Sequence, residues 1–300
     1  VAREAELLSF VQRFAGRNAV SVLAAIETFC KTRKLWLKVA GGDKAQLLEK
    51  LLEGMNPKYI LEVGCYVGYS AVRLGAAAQR QGGQVVSIEM DPLFAYIARH
   101  VVAHAGLQDV VSICIGHSDE VIDEIPRLCT GFKPHGVAGF DMVFFDQRGS
   151  RFLEDLSKLE QVGALHQNAV VVADNVLKPG APIFLWHMCM GQGWETSVVE
   201  LRDFGTCGVL DWMSVSCRTG QAGQAQKPRG QQAPGQIHHL SWQADEMRWR
   251  SIDQHVTPKE WTDFATYMKA SLASAGLTPV LQDPTAVVAW LKRRTVWTGR

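Results

Sequence analysis

The chain has 300 residues, of which 47% are hydrophobic and 20% are charged, and its formal net charge at pH 7 is +1. This composition predicts a soluble globular protein of one large or two small domains. The balance of 31 basic and 30 acidic residues argues against partners such as nucleic acid or an anionic membrane surface. No apolar run approaches the roughly 18 residues that cross a bilayer, so we expect no membrane span.

The cysteines indicate a reducing environment. There are seven of them, without a Cys-x-x-Cys pair, and most lie in apolar runs such as 112–115 and 186–189. Reduced core cysteines, rather than a disulfide or zinc framework, are therefore expected. The expected location is cytoplasmic, although the chain begins at Val1, so that a targeting peptide would lie outside this sequence.

Apolar residues at helical spacing predict three helices before residue 56, at 4–15, 19–31 and 44–54. From residue 58 onward, short apolar runs alternate with helical patterns. The predicted strands are 58–64, 84–89, 109–115, 139–145 and 168–173, and the helices that follow them are 69–80, 92–105, 118–129, 151–163 and 180–190. This alternation is typical of an α/β protein with a parallel sheet and helices on both faces.

The pattern changes near the end of this region. Strand patterns at 195–201 and 211–217 follow each other without a helix and predict an antiparallel hairpin. The next segment, 219–236, is rich in Gly, Gln and Pro and predicts a flexible linker. We therefore predict a main domain at 1–218, this linker, and a helical extension at 237–300.

The extension carries one clear helix signal. Thr257, Pro258 and Glu260 match the N-cap, N1 and N3 positions of a capping box, and the helix is expected to run to about Ser274 with Gly276 as its stop. Several tryptophans and other apolar residues give the extension a surface that must pack on something. We expect it to pack on its own domain, and a protein partner is the alternative.

Residues 59–70, YILEVGCYVGYS, place an apolar strand before a turn with two glycines. Gly64 and Gly68 let a ligand approach the backbone, and Glu62 supplies a carboxylate where parallel sheets bind ligands. Glu89 ends the next strand, about 20 residues beyond, where it can accept hydrogen bonds from ribose hydroxyls. Two carboxylates repel a pyrophosphate but suit the ammonium and ribose of S-adenosylmethionine (SAM). The alternative is that both acids only cap their strands.

Two further strand patterns end in polar side chains. Asp146 follows one of them, and Asp174 and Asn175 follow the other. Two carboxylates and an amide oxygen are hard ligands, which suit an octahedral Mg²⁺ that keeps water or substrate oxygens in its other positions. Taken singly, each of these residues is better explained as a strand or helix cap. On the predicted sheet they share the rim with Glu62 and Glu89, which favours a site.

On these motifs the sequence resembles the catechol O-methyltransferase family of SAM- and Mg²⁺-dependent methyltransferases over about residues 20–218. The resemblance is carried by SVLAAIE at 21–27, LEVGCYVGYSAVR at 61–73, HAGLQD at 104–109, DMVFFD at 141–146 and ADNVLKPG at 173–180. It implies a Rossmann-like fold with a mostly parallel, seven-stranded sheet. It also implies methyl transfer to a hydroxyl of a catechol-like substrate held on Mg²⁺.

The resemblance also implies roles for individual residues. The cofactor-binding positions would be Ala40, Glu62, Gly64, Tyr66, Ser70, Glu89, Met90, Ser118 and Asp146. The metal ligands would be Asp146, Asp174 and Asn175. Trp36 and Pro179 would be walls of the substrate site, and Asp203 falls close to the family's acid that hydrogen-bonds the second catechol hydroxyl.

The sequence departs from the family after the first metal aspartate. The family has His-Trp-Lys there, with the lysine as general base, whereas this chain has Gln147-Arg148-Gly149. Lys38, near the transferred methyl, is a candidate replacement because a desolvated lysine has a lowered pKa; the alternative is a solvated loop lysine. Arg148 would make the substrate wall suit a more polar or acidic phenol. A catalytically silent cofactor-binding or scaffold protein, or an enzyme for non-catechol phenols, are the rival hypotheses.

Overall fold

The computed structural model describes residues 2–33, 37–128, 139–204, 208–219 and 232–294. The helices are α1 (Ala2–Phe14), α2 (Ala19–Arg33), α3 (Asp43–Met55), α4 (Tyr69–Arg80), α5 (Pro92–His104), α6 (Ser118–Leu128), α7 (Phe152–Gln161), α8 (Pro182–Met190), α9 (Gly235–Asp253), α10 (Pro258–Ser274) and α11 (Pro284–Arg294). The strands are β1 (Tyr59–Val63), β2 (Gln84–Glu89), β3 (Val111–Ile115), β4 (Phe140–Phe145), β5 (Leu165–Ala173), β6 (Trp194–Arg202), β7 (Leu210–Arg218) and β8 (Leu281–Gln282).

The chain forms two compact units. Unit 1 comprises Val1–Phe144 and Lys158–His166, and unit 2 comprises Phe145–Ser157 and Gln167–Arg300. The strand order is β3-β2-β1-β4-β5-β7-β6-β8. The first four strands of this order belong to unit 1, up to the last residue of β4, and the last four belong essentially to unit 2.

Unit 1 is a parallel arrangement built on fully buried strands. β2 pairs in parallel with both β1 and β3, and the apolar runs of β1 and β2 are almost entirely buried, as expected for strands covered on both faces. The polar exceptions inside these runs are Glu62 and Ser87, which are partners in the β1–β2 register. Burial of a carboxylate in such a strand needs compensation, which makes this position informative.

Unit 2 is the antiparallel end of the sheet. β7 pairs antiparallel with both β5 and β6, which confirms the predicted hairpin. The prediction of seven strands is correct for residues 1–218 but not for the whole chain. The extension adds an eighth strand, because β8 pairs in parallel with β6 through Val198 and Leu281.

The extension packs within unit 2, as expected. α9 lies against α8 and the turn Val176–Gly180, α10 packs on the same turn, and α11 packs on β6 and β7. The capping box at Thr257 and Glu260 is confirmed by reciprocal hydrogen bonds. The predicted linker falls largely on residues 220–231, outside the described part of the chain.

The cysteines and the helices bear on two of the composition-based expectations, reduced thiols and the absence of a membrane span. The cysteines that the structure describes are all free thiols. Over the same described ranges, no helix combines the length and apolar character that crossing a membrane requires.

Candidate active site

Glu62 is the central acid of unit 1. It is fully buried in β1, and the hydroxyl of Ser87 donates a hydrogen bond to its Oε2. Oε1 has no hydrogen-bond partner within the described part of the chain. Burial raises the pKa of Glu62 to about 7, and the nearby hydroxyls of Ser70 and Ser87 offset part of this effect. A buried acceptor without a donor is costly, so this site fits a ligand ammonium such as the aminoacyl end of SAM.

The turn after β1 contains three residues with positive φ angles. Gly64 and Gly68 have φ of 100° and 87°, and Tyr66 has φ of 49°. A Cβ on Gly68 would lie 3.1 Å from the Cα of Ala98, so a larger residue would strain the packing of α4 on α5. A positive φ is uncommon for a bulky residue such as tyrosine and often marks a functional site. The turn therefore has the backbone conformation that lets a close-fitting ligand approach the main chain.

Tyr66 is fixed from both sides. Its backbone N–H donates to Glu89 Oε2 at 2.7 Å, and its hydroxyl donates to Glu4 Oε1 at 2.5 Å. Its ring makes an edge-to-face contact with Phe94, with centroids 4.9 Å apart. These contacts tie the glycine turn to β2 and to α1, so the predicted cofactor residues Tyr66 and Glu89 do lie together.

Glu89 is oriented by the backbone around it. Besides Tyr66, the N–H of Asp91 donates to its Oε1 at 2.9 Å. Burial raises the pKa of Glu89, and the hydrogen bonds from the backbone of Asp91 and Tyr66 oppose the rise. Each carboxylate oxygen can accept a second hydrogen bond, so the side chain suits the ribose hydroxyls it is predicted to bind.

The other predicted residues of unit 1 differ in exposure. Ser118 begins α6 and is buried, and Ala40 is buried in the loop before α3, whereas Met90 is 61% exposed. Lys38 lies in the same loop as Ala40 and is exposed. Trp36 lies outside the described residues. The exposure of Lys38 does not support the desolvated lysine that was predicted, and its role stays a prediction.

In unit 2, the predicted metal ligands follow two adjacent chain segments. Asp146 directly follows β4, and Asp174 directly follows β5. The N–H of Asp174 donates to the carbonyl of Phe145 at 2.9 Å, so this hydrogen bond joins the two chain segments that carry the aspartates. Asp174 is 2% exposed, and its Oδ1 accepts the N–H of Asn175 at 2.7 Å. Asn175 has a left-handed backbone with φ of 57° and stands directly before the turn Val176–Gly180.

Asp211 orients the amide of Asn175. Asn175 Nδ2 donates to Asp211 Oδ2 at 2.7 Å, while the N–H groups of Lys178 and Trp212 each donate to Asp211 Oδ1 at 2.8 Å. With its nitrogen engaged, Asn175 offers its oxygen to a ligand. Over the described residues no three His, Cys, Asp or Glu side chains form a metal cluster. The predicted set of two carboxylates and one amide fits Mg²⁺, which is usually bound through one or two carboxylates.

Lys178 is a buried cation next to this site in sequence. Its side chain is 5% exposed, and its Nζ lies 2.5 Å from Asp203 Oδ2. The same Nζ lies 5.1 Å from the centre of the Trp261 ring, a cation–π distance. Asp203, predicted to hydrogen-bond a catechol hydroxyl, is thus held by an ammonium group that the sequence did not lead us to expect.

Gly149 occupies the position where the resemblance expects a general-base lysine. A Cβ on Gly149 would lie 2.4 Å from the carbonyl oxygen of Gly180 and 2.9 Å from the Cβ of Ala181. Real Cβ atoms do not approach backbone this closely, so glycine is required in this packing. The segment 180–181 therefore leaves no room for a lysine side chain at position 149 in this packing.

A comparison with family profiles matches residues 18–183 to a family described as O-methyltransferase. The match covers more than half of the chain. The chain belongs to the O-methyltransferase family. The matched segment includes Glu62, Glu89, Asp146, Asp174 and Asn175 and ends before Asp203 and the extension.

Curated relatives agree with the family assignment. Catechol O-methyltransferase B of Danio rerio is 38% identical over 187 residues, which are 62% of this chain and 68% of that protein. Catechol O-methyltransferase of Mus musculus has the same identity and coverage. A probable O-methyltransferase of Mycobacterium tuberculosis is 35% identical over 201 residues, 66% of this chain and 83% of that protein.

Solved structures agree on the fold. An O-methyltransferase from Bacillus cereus in complex with SAH has a TM-score of 0.55 at 20% identity, over 66% of this chain and 91% of that one. The O-methyltransferase TomG from Streptomyces achromogenes, in complex with SAM, has a TM-score of 0.53 at 25% identity, over 66% and 90%. About a third of this chain thus has no counterpart in these family members.

Sequence reasoning missed several polar residues around the O-methyltransferase motifs: Glu4, Ser87, Lys178, Asp211 and Asp245. Ser87 could have been found, because it is a hydroxyl inside the apolar run 85–88 of β2, beside a strand with a buried acid. Asp211 begins a predicted strand and carried no motif. Nothing local identifies the partners that Lys178 and Asp245 have.

Proposed function

We propose that this chain is a SAM-dependent O-methyltransferase whose acceptor is a catechol-like molecule held on Mg²⁺. Family membership supports the reaction class, and the relatives named catechol O-methyltransferase support the acceptor class. The observation that carries the proposal is the Asp174-Asn175 pair, whose amide is oriented by Asp211 so that its oxygen is available to a hard cation.

The residues of unit 1 would bind and orient the cofactor. Glu62 would receive the ammonium at its unpartnered oxygen, and Glu89 would accept hydrogen bonds from the ribose. The open turn around Tyr66 would allow the backbone to approach the aminoacyl end. SAM would supply an electrophilic methyl group for a hydroxyl oxygen of the acceptor. By holding the aminoacyl and ribose ends, Glu62 and Glu89 would contribute the orientation part of the rate enhancement.

The residues of unit 2 would hold the acceptor. Asp146, Asp174 and Asn175 would hold Mg²⁺, and Asp203 would accept a hydrogen bond from the second hydroxyl. Bound Mg²⁺ would lower the pKa of a coordinated hydroxyl and so make an oxygen nucleophile available near neutral pH. Pro179 would be an apolar wall of the acceptor site, and Arg148 would add a polar one.

Proton removal would differ from the scheme that the family resemblance implies. Gly149 cannot carry a base, and its packing against Gly180 closes that space. Lys38 remains our candidate for the proton acceptor, on its sequence position alone. The same observation favours a second candidate function, in which the protein binds the cofactor without turnover and acts as a scaffold.

The test combines turnover with binding. Purified protein would be given SAM, Mg²⁺ and a panel of catechols and simple phenols, with and without chelator, beside Asp174→Asn and the exposed control Asp263→Asn. We expect methylated catechol from the wild type and Asp263→Asn, and its loss with chelator or Asp174→Asn. Turnover that neither chelator nor Asp174→Asn reduces would overturn the metal-held acceptor.

Calorimetry with SAH separates the remaining alternatives. Tight SAH binding without turnover on any acceptor would favour the scaffold. Methylation of simple phenols but not of catechols would favour the enzyme for non-catechol phenols.

A further inference from the structure

The extension contacts two loops of unit 2 that lie next to the proposed metal ligands in sequence. One loop, 148–150, begins two residues after Asp146, and the other, 178–180, begins three residues after Asn175. α9 contacts both loops, and α10 contacts the second. The family match ends at residue 183, so these contacts come from a part of the chain beyond the matched segment.

Asp245 of α9 binds the first loop through three hydrogen bonds. Arg148 donates from Nε to Oδ1 at 2.9 Å and from a terminal nitrogen to Oδ2 at 2.8 Å, and Ser150 Oγ donates to Oδ1 at 3.0 Å. The guanidinium of Arg148 also lies 5.6 Å from the ring centre of Trp249. A bidentate arginine–carboxylate pair fixes both distance and plane, so Asp245 sets where this loop lies.

Trp261 and Met268 of α10 close over the second loop. Trp261 covers the ammonium of Lys178, which is paired with Asp203. A Cβ on Gly180 would lie 3.1 Å from the terminal methyl of Met268, so Met268 packs directly on the backbone of this loop. Because Gly149 packs on Gly180, the two loops are also held against each other.

We propose that the extension sets the geometry of the acceptor site, with Asp245 and Trp261 as positioning residues for the loops that follow the metal ligands. This inference rests on the proposed function. The salt bridge at Asp245 is partly exposed, at 36% for Arg148 and 22% for Asp245, so its net contribution to stability is small. Its geometric effect is larger, because a displacement of about 1 Å in a positioning group costs up to a hundredfold in rate.

The test compares Asp245→Asn with Asp263→Asn. Both remove one carboxylate from the extension, but among the described residues Asp263 pairs along α10 with the exposed Lys259. A second pair is Trp261→Phe with Trp242→Phe, since Trp242 is 60% exposed on α9. Five quantities would be measured: KM and kcat for a catechol, Kd for SAH, Kd for Mn²⁺ by electron paramagnetic resonance, and amide hydrogen exchange at 146–151 and 174–180.

For Asp245→Asn and Trp261→Phe we expect about a tenfold rise in the acceptor KM, weaker Mn²⁺ binding, faster exchange in both loops and an unchanged SAH Kd. The two control variants would match the wild type. Asp245→Glu, which keeps the charge, would recover part of the loss and serves as the second variant if Asp245→Asn does not fold.

The inference is overturned if Asp245→Asn and Asp263→Asn have the same acceptor KM and Mn²⁺ Kd. If the wild type methylates no acceptor, the proposed function fails, and the Mn²⁺ and exchange measurements decide the inference alone. Without Mn²⁺ binding, equal exchange in the two variants overturns it and faster exchange in Asp245→Asn supports it.

Discussion

The two units build their candidate sites in different ways. In unit 1 both predicted cofactor carboxylates are held within one βαβ unit, Glu62 by Ser87 and Glu89 by Tyr66, at separations of 25 and 23 residues. In unit 2 the contact between Arg148 and Asp245 spans 97 residues. A single βαβ unit thus supplies most of the predicted cofactor site, whereas the acceptor side depends on the hairpin and the extension.

This difference predicts which property each substitution changes. Substitutions around Glu62 should lower cofactor affinity without changing metal affinity. Substitutions around Asn175 should lower metal affinity without changing cofactor affinity. The units also differ in what they leave open. Glu62 has an oxygen without a partner among the described residues, whereas Asn175 and Asp203 are already held by other side chains.

The largest effect is expected for Asp174→Asn. It removes the charge of a proposed metal ligand, and even outer-shell partners of metal ligands contribute about ten- to a hundredfold. We expect kcat/KM for a catechol to fall by roughly a hundredfold or more, with SAH affinity unchanged. Steady-state kinetics and calorimetry on the same preparation would check both, with Asp263→Asn as control. A loss of SAH affinity as large as the loss of kcat/KM would contradict the expected division of roles between the two units.

Glu62→Gln should weaken the cofactor side instead. A hydrogen bond to a charged group contributes about 1.5 to 3 kcal/mol, so the Kd for SAH should rise by roughly ten- to a hundredfold. The Kd for Mn²⁺ should not change. The matched control is Glu53→Gln, on the exposed face of α3. An SAH affinity equal to that of the control would mean that Glu62 only caps its strand.

Asp211→Asn should have a smaller effect, and on the metal. Asp211 orients Asn175 without being a proposed ligand itself, so we expect about a tenfold weaker Kd for Mn²⁺, at the low end for outer-shell partners. Asp211 also accepts the N–H groups of Lys178 and Trp212, so thermal unfolding must be measured in parallel. Unchanged Mn²⁺ affinity in a folded variant would contradict the orienting role.

The last prediction, small within any one pH unit, is the pH dependence of stability without cofactor. Burial raises the pKa of Glu62 from its ordinary 4.5 to about 7, so between these values the folded state keeps a proton that the unfolded state releases. Stability should therefore fall as pH rises through this window, by at most about 1.4 kcal/mol per pH unit for this group. Urea unfolding at pH 5, 6 and 7 should give a flatter profile for Glu62→Gln. Identical profiles would place the raised pKa in doubt.

Local patterns predicted the fold well. The strand at 58–64 appears as Tyr59–Val63, and the capping box at Thr257 starts α10 at Pro258, because both depend on neighbouring residues. β8 is only two residues long and is defined by its pairing with β6, so no periodicity could reveal it. α9 begins at Gly235 and has no side-chain cap, so the usual start signal is missing.

The site was predictable to the extent that it is local. Arg148 was predicted from its position after Asp146 to line the substrate site, and the structure adds that its guanidinium is bound by Asp245. That pairing is set by the packing of α9 on unit 2, which no motif near residue 148 encodes. At Gly149 the sequence showed only that the family's lysine is missing. The structure gives the physical reason, because the backbone of Gly180 leaves no space for a side chain there.

The most direct test of the account is product formation from a catechol with SAM and Mg²⁺, measured with the full chain before and after chelation. We predict one methylated product molecule for each SAH formed, and loss of both when the metal is removed. Saturable SAH binding with no methylated product from any vicinal diol would contradict the central claim. Unit 1 would then be a cofactor-binding site without a working acceptor side.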